Sequence, residues 1–252
     1  MATDGLNRRR LLAVGALVGA APLAPAVADT IHTVPAVPWQ PNAASSPPIP
    51  KGGDDFLFFT VAEQAFVNAA TARLIPHDDL GPGAVEAGVP IFIDRQLAGT
   101  FGAAGDWYMQ GPWAKGEKTQ GWQSRLTPAQ TYRAAIAAIN DATHQASGKV
   151  FADLTTADQD AMLKRLEKGE IALSGGVDAA GFFKIFLQNV MEGYFADPLY
   201  GGNRGMAGWK LIGFPGARYD QRAYVKTFGQ AYPLAPVGIM GRPDWRANGD
   251  NR

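Results

Sequence analysis

Residues 178–198, DAAGFFKIFLQNVMEGYFADP, decide the fold of this chain. Apolar side chains recur in this stretch at three- and four-residue intervals, which is typical of a helix buried on most of its surface. Asp178 is the expected N-cap, and Pro198 disfavours a helical conformation for Asp197. The apolar positions of this predicted central helix are Phe182, Phe183, Ile185, Phe186, Val190 and Phe195.

Three further helices are predicted around it, each with a threonine N-cap. Thr60 and Glu63 have the spacing of a capping box, as do Thr127 and Gln130, with a proline at the first helical position of the second. Thr155 begins the third. The predicted spans are 60–76, 127–148 and 155–169, and a shorter helix is predicted over 90–97.

The predicted fold class is mainly α, because alternation of polar and apolar residues is nearly absent and few strands are expected. We expect an irregular helical bundle with long aromatic- and Gly/Pro-rich loops and an extended C-terminal tail. The predicted segments are a signal peptide (1–28), a Pro-rich linker (29–55), a helical domain (56–236) and a C-terminal tail (237–252).

Two aromatic-rich segments, residues 99–126 and 199–252, do not fit a compact bundle. Disordered segments are poor in aromatic residues, so these side chains are expected to become buried. They either fold back and cap the core, or they contact another protein, since Trp and Tyr are enriched at interfaces. The predicted partner-contact residues are Trp107, Tyr108, Trp113, Tyr200, Trp209 and Phe214.

The N-terminus predicts export. Arg8 and Arg9 precede an uncharged apolar run over residues 11–21, and Ala26 and Ala28 form a small-x-small cleavage site. The run is too short to span a membrane, which takes about 20 apolar residues. The arginine pair followed closely by two leucines favours a twin-arginine signal, which carries folded cargo, over an ordinary secretory signal.

Composition excludes several functions. Without residues 1–28 the net charge is −2, which gives no reason to expect a nucleic-acid partner. The chain has no cysteine, which excludes disulfides, thiolate metal sites and covalent haem attachment. A redox centre, if this protein serves electron transfer, is therefore expected on another chain.

Motifs for catalysis or cofactor binding are not found. Residues 201–205, GGNRG, follow Asp-Pro instead of a strand and lack the dinucleotide-binding spacing. His77, followed by two aspartates, fits a solvated turn better than a metal site. No Gly-x-Ser-x-Gly elbow occurs. We therefore nominate no catalytic, cofactor-binding or metal-binding residue.

Several motifs resemble one known family, from about residue 58 to residue 236. They are FTVAE (59–63), RLIP (73–76), FIDRQL (92–97), WYMQGP (107–112), LTPAQ (126–130), QNVMEGYFADP (188–198), YGGN (200–203) and GWKLIGFPG (208–216). The chain resembles subunit 3, the small or gamma subunit, of membrane-bound gluconate 2-dehydrogenase and related sugar dehydrogenases.

This resemblance implies a subunit without catalytic residues or a cofactor of its own. The expected partners are a large FAD-containing subunit that oxidises gluconate at carbon 2, a cytochrome c subunit that carries the haem, and the twin-arginine translocase. The small subunit is then needed for maturation and export of the FAD subunit. The expected location is the periplasm, at the outer face of the inner membrane and held there only through partners.

Two alternatives stay open. The complex could oxidise fructose, glucose or sorbitol, although the WYMQGP stretch favours gluconate. A second possibility is a stand-alone periplasmic module on which Trp107 and Trp113 stack a sugar. An independent hydrolase is the weakest reading, because no acid–base pair is present to nominate.

Overall fold

We describe the protein from a computed structural model that covers residues 55–114, 116–117, 119–218 and 220–239. The predicted signal peptide, nearly all of the predicted linker and residues 240–252 lie outside the described residues. Within the described part the fold is mainly helical, as predicted, and contains no strand. Two isolated bridges join Asp78 to Gly81 and Gly216 to Val237.

The described residues form six α-helices with short 3-10 turns between some of them. The helices are α1 (Val61–Leu74), α2 (Val89–Ala98), α3 (Pro128–Ser147), α4 (Thr156–Glu167), α5 (Ala179–Phe195) and α6 (Ala207–Ile212). None of these helices has both the length and the apolar character needed to cross a membrane.

The predicted threonine caps are confirmed. The Thr60 N–H donates to the Glu63 carboxylate at 2.8 Å, and the Thr60 hydroxyl accepts from the Glu63 N–H. Thr127 and Gln130 make the same reciprocal pair before α3, and Thr155 precedes α4. Each pair satisfies amide groups that a helix N-terminus leaves without partners, which fixes where the helix begins.

The start of α5 differs in one detail from the predicted cap. Asp178 is the N-cap residue, but its side chain makes no hydrogen bond to the helix. Its carboxylate lies against Gly181, where a side chain would collide with it. The position of the helix start was predictable from the sequence, and the orientation of the capping side chain was not.

The helix α6 was not predicted, because residues 199–252 read as irregular. It has only six residues and follows three residues in the left-handed region, Asn203 with φ +46°, Gly205 with φ +62° and Met206 with φ +58°. A helix this short depends on tertiary packing for its stability, so periodicity does not reveal it.

The core is built around α5. The Phe182 ring stacks on Phe186 at 5.8 Å and meets the edge of Tyr132 from α3 at 5.4 Å. Phe66 of α1 packs on Phe151 at 4.8 Å, in the turn before α4. The sequence prediction of a central α5 is therefore confirmed by an aromatic cluster to which four parts of the chain contribute.

The entry of the chain into α1 is held by Asp94, a fully buried residue on α2. Its carboxylate accepts hydrogen bonds from the N–H groups of Leu57, Phe58 and Phe59 at 2.6, 2.9 and 2.8 Å. From the other side, Arg133 donates to the Phe58 carbonyl at 2.8 Å and lies over the Phe58 ring. These contacts fix residues 57–59 against the bundle.

A bidentate ion pair connects α1 to α4. Arg73 donates through Nε and Nη2 to the two carboxylate oxygens of Asp160, at 2.8 and 3.1 Å. The hydrogen bonds from Arg73 hold the pKa of Asp160 below its ordinary value. The pair thus stabilises the fold at neutral pH and stops doing so when acid protonates Asp160.

Candidate partner-binding site

The residues predicted to contact a partner lie in two regions of the described structure. One is the loop between α2 and α3, and the other follows α5. Their side chains range from 5% to 78% exposed, so the structure separates those that support the fold from those that a partner can reach.

The region that follows α5 is positioned by glycines that lie very close to the end of this helix. A methyl group on Gly202 would lie 2.2 Å from the Gly193 carbonyl oxygen, and one on Gly208 would lie 2.2 Å from that of Tyr194. A methyl group on Gly193 would lie 2.8 Å from the Phe92 ring of α2. We call Gly193, Gly202 and Gly208 the glycine junction. Gly202, one of the glycines of the 201–205 stretch, is thus used for packing.

Asn203 fixes the backbone inside this region. It is fully buried, donates to the Ala196 carbonyl at 2.8 Å and accepts from the Gly208 N–H at 2.9 Å. Its positive φ is tolerated better by Asn than by most other residues. These bonds hold the N-terminus of α6 beside the C-terminus of α5.

Trp209 caps the core and is only 5% exposed. Its indole N–H donates to the Phe195 carbonyl at 2.7 Å, which satisfies one of the carbonyls left open at the end of α5. Phe214 meets the Trp209 ring edge-on at 5.2 Å and remains 44% exposed. Of this pair, Phe214 is the ring that another molecule can reach directly.

A cleft of about 420 Å³ lies beside Trp209 and Phe214. We call it the C-terminal cleft. Tyr200 does not line it, although it is 48% exposed in the turn after α5. The cleft is lined by Trp209, Lys210, Ile212, Gly213, Phe214, Pro215, Gln230, Ala231, Tyr232, Leu234 and Pro236.

The far wall of the cleft belongs to a loop that is closed at its base. The N–H of Ala217 donates to the Val237 carbonyl at 2.6 Å, and the N–H of Ile239 donates to the Asp197 carboxylate at 2.6 Å. Within this loop Phe228 is 87% exposed. Phe228 is not among the predicted contact residues, because periodicity does not distinguish a solvated ring from one that folds back.

In the loop between α2 and α3, Trp107 packs between two other aromatic rings. Its ring lies 5.7 Å from Phe101 and 5.5 Å from Trp122, and it is 36% exposed. Both neighbours pack against the core, and the Trp122 indole N–H donates to the Leu126 carbonyl at 2.9 Å. This loop cluster is therefore partly a cap on the core and partly surface.

Tyr108 is the most solvated of the six predicted contact residues, with 78% of its surface exposed. Trp113 is half-buried and lies close to Gly111. The structure thus joins Trp107 to Phe101 and Trp122, which were not predicted as contact residues. No ring contact joins Trp107 to Trp113 among the described residues.

The described residues contain no group of three or more His, Cys, Asp or Glu side chains that could hold a metal ion. His77 lies 3.8 Å from the carboxylate of Glu86, and both side chains are largely exposed. This arrangement is a solvated ion pair if His77 is protonated.

Comparison with known families identifies the family of this chain. Residues 61–216 match the family described as gluconate 2-dehydrogenase subunit 3. The chain belongs to this family. The match begins at the first residue of α1 and runs past the end of α6, so all six helices lie within the subunit 3 match. No curated protein sequence and no solved structure matches the chain.

Family membership confirms the resemblance found in the sequence and a role as a gluconate 2-dehydrogenase subunit. The resemblance had extended to residue 236, whereas the match ends at residue 216. The closed loop that carries Phe228 therefore lies beyond the matched part of this subunit 3 chain.

A buried polar network leads from α3 to the surface of α5. The hydroxyl of Tyr132, which is fully buried, donates to the Asn189 side-chain oxygen at 2.7 Å. The Asn189 amide donates to the exposed carboxylate of Glu192 at 3.1 Å, and Gln188 donates to the same carboxylate at 2.8 Å. Burial, with the nearby charge of Glu192, raises the pKa of Tyr132 well above its ordinary value.

Proposed function

We propose that this chain is the non-catalytic small subunit of a periplasmic, membrane-bound, FAD-dependent gluconate 2-dehydrogenase. In this proposal the FAD subunit oxidises D-gluconate to 2-dehydro-D-gluconate, and its electrons pass to a cytochrome c subunit and to quinone. The small subunit binds the FAD subunit in the cytoplasm and accompanies it through the twin-arginine translocase.

The family match across all six helices carries this proposal. The exposed aromatic side chains support it, because a subunit needs surface that becomes buried in its complex. Tyr108, Phe214 and Phe228 expose large rings from irregular backbone outside the helices. Aromatic side chains are enriched at protein interfaces, where they supply a large contact area.

The export step rests on the arginine pair in the sequence. We expect Arg8→Lys combined with Arg9→Lys to leave the FAD subunit in the cytoplasm, because the translocase reads the arginine pair on its escort. The measurement is gluconate-dependent dye reduction in periplasmic and cytoplasmic fractions of cells that express the whole complex.

Arg10→Lys is the matched control, since it makes the same chemical change beside the pair. Normal periplasmic activity in the double variant would contradict the escort role. Loss of activity from both fractions, with the Arg10→Lys strain normal, would instead point to a defect in maturation before export.

The substrate of the complex is a separate question with its own test. Related FAD-dependent sugar dehydrogenases act on fructose, glucose or sorbitol, and the chain proposed here would contribute no substrate contact. Activity of the purified complex is to be compared across gluconate and these three compounds. A preference for one of the others would change the substrate and leave the subunit role intact.

The exposure of Tyr108 beside Trp107 favours one alternative function, a stand-alone sugar-binding module, because sugars stack on aromatic rings. Calorimetry on the purified chain distinguishes the two. A stand-alone module would be monodisperse and bind a sugar, whereas an orphaned subunit should bind none and tend to aggregate.

A further inference from the structure

The last turn of α5 differs in charge from those of the other described helices. Basic or titratable cationic side chains occur there in α1, α2, α3, α4 and α6, and α5 has none. Its last turn carries Glu192 instead. An acid at this position is locally unfavourable, because the C-terminus of a helix already has a partial negative charge.

Neutral groups satisfy the carbonyls at this helix end. The Trp209 indole donates to the Phe195 carbonyl, and the Asn203 amide donates to the Ala196 carbonyl. Among the described residues no Lys, Arg or His side chain forms an ion pair with Glu192. Glu192 is also exposed, so its carboxylate is accessible to another molecule.

The core holds this carboxylate in one orientation. Because the Tyr132 hydroxyl donates to the Asn189 oxygen, the Asn189 amide hydrogens must point toward Glu192. Gln188 donates to the second carboxylate oxygen. A carboxylate has about four acceptor positions. Two remain on Glu192 after these bonds, which is what a guanidinium group needs for a bidentate contact.

We propose that Glu192 is an anchor for a cationic side chain, a guanidinium or an ammonium group, on the surface of the FAD subunit. Met191, which is 50% exposed in the same turn, supplies apolar contact beside the charged group. This inference rests on the proposed function for the identity of the partner. It adds a contact point that none of the six predicted aromatic residues supplies.

A purely structural role for Glu192 makes a different prediction. In that case the carboxylate serves only to accept from the buried Asn189 amide. Glu192→Gln separates the two roles, because glutamine retains one acceptor oxygen for Asn189 and removes the charge.

The test is coexpression of the full chain with the FAD subunit, followed by measurement of the dissociation constant of the purified complex at low and high salt. Flavin absorbance reports the retained partner. We expect Glu192→Gln to weaken the complex about tenfold at low salt, and the difference to shrink at high salt as the charge is screened.

Glu167→Gln is the matched control. Glu167 is also an exposed acid in the last turn of a helix, but Lys164 and Arg165 share that turn. We expect it to change the affinity by less than about twofold, as is usual for a rim charge that makes no close pair. Wild-type affinity for Glu192→Gln at low salt would overturn the anchor.

Tyr132→Phe tests whether the core orients the Glu192 carboxylate, because this change frees the Asn189 amide to rotate. Its effect on affinity should disappear in the Glu192→Gln background, since both changes act through one contact. An equal loss of affinity in both backgrounds would overturn the orienting role of Tyr132. Melting temperatures of all variants show whether the fold is retained.

The experiment gives a different result if the proposed function itself is wrong. If the wild-type chain retains no flavin at any salt concentration, the FAD subunit is not its partner, and the anchor is overturned with it. If the wild-type complex is stable and Glu192→Gln binds the FAD subunit with the same dissociation constant, only the anchor is overturned.

Discussion

At the scale of single residues, three buried polar side chains set the path of the chain. Asp94 binds three amides before α1, Asn203 joins the ends of α5 and α6, and Asn189 connects Tyr132 to Glu192. A buried polar group is costly unless it is hydrogen-bonded, so each of these groups requires its partner in one position. The partners of Asp94, and the Tyr132 partner of Asn189, lie more than 30 residues away along the chain, so sequence patterns do not reveal these bonds. Asn203 bonds to nearby residues, but only through a backbone path that the sequence pattern did not predict.

Asp94→Asn should lower the free energy of unfolding by about 2–4 kcal/mol. Asparagine replaces one acceptor oxygen with a donor that faces the N–H groups of residues 57–59. Urea unfolding measures the loss, and hydrogen exchange at these three amides should become faster.

Asp106→Asn is the control for this prediction, because Asp106 is exposed in a loop. We expect it to stay within about 0.5 kcal/mol of the wild type. Unchanged exchange at residues 57–59 in the Asp94 variant would show that the carboxylate does not hold this segment.

At the scale of elements, the sequence predicted helix ends better than helix contacts. The threonine caps and the stop at Gly148 are local signals that depend on a few adjacent residues, and all are present. The existence of α6 and its place against α5 depend on the glycine junction. Glycine occurs in many kinds of local structure, so the sequence does not show which glycines pack closely. The position of the neighbouring backbone in the structure does.

Gly202→Ala tests the glycine junction. The added methyl would meet the Gly193 carbonyl, which belongs to the backbone of the central helix and has little freedom to move. We expect the free energy of unfolding to fall by about 1–3 kcal/mol, the usual cost of overpacking. Thermal or urea unfolding measures it.

Gly99→Ala is the comparison, since Gly99 has φ −100° and a methyl there would make only ordinary contacts. Its effect should be near zero or slightly stabilising, as the unfolded chain loses freedom. Equal destabilisation by both substitutions would argue against close approach as the reason for Gly202.

At the scale of the whole molecule, the aromatic residues divide into those that complete the core and those that remain outside. Trp209 is buried and hydrogen-bonded, whereas Tyr108 is almost wholly solvated. The structure therefore assigns Trp209 to the cap on the core and leaves Tyr108 accessible to other molecules. The contact role itself stays a prediction for all six residues.

A pair of substitutions separates stability from binding. Trp209→Ala should lower the free energy of unfolding by about 3–5 kcal/mol, because it empties a buried site. Tyr108→Ala should change it by less than about 0.5 kcal/mol but reduce the amount of FAD subunit that copurifies. Urea unfolding and flavin content of the purified complex are measured side by side.

The result for Tyr108→Ala decides the interpretation of the loop. If the variant copurifies with as much flavin as the wild type, Tyr108 does not contribute to the interface. A large loss of stability would contradict the solvated position of its ring.

The sequence by itself determined the mainly helical class, the ends of most helices, the central place of α5 and the family. These properties depend on periodicity, capping and local motifs, which act over a few residues. The tertiary structure alone decided that Trp209 is buried while Tyr108 is solvated, that Asp94 clamps residues 57–59, and that Asn189 accepts a hydrogen bond from Tyr132 and donates one to Glu192. Burial and hydrogen-bond partners depend on which distant segments meet, and in this chain they meet around the aromatic core and the glycine junction.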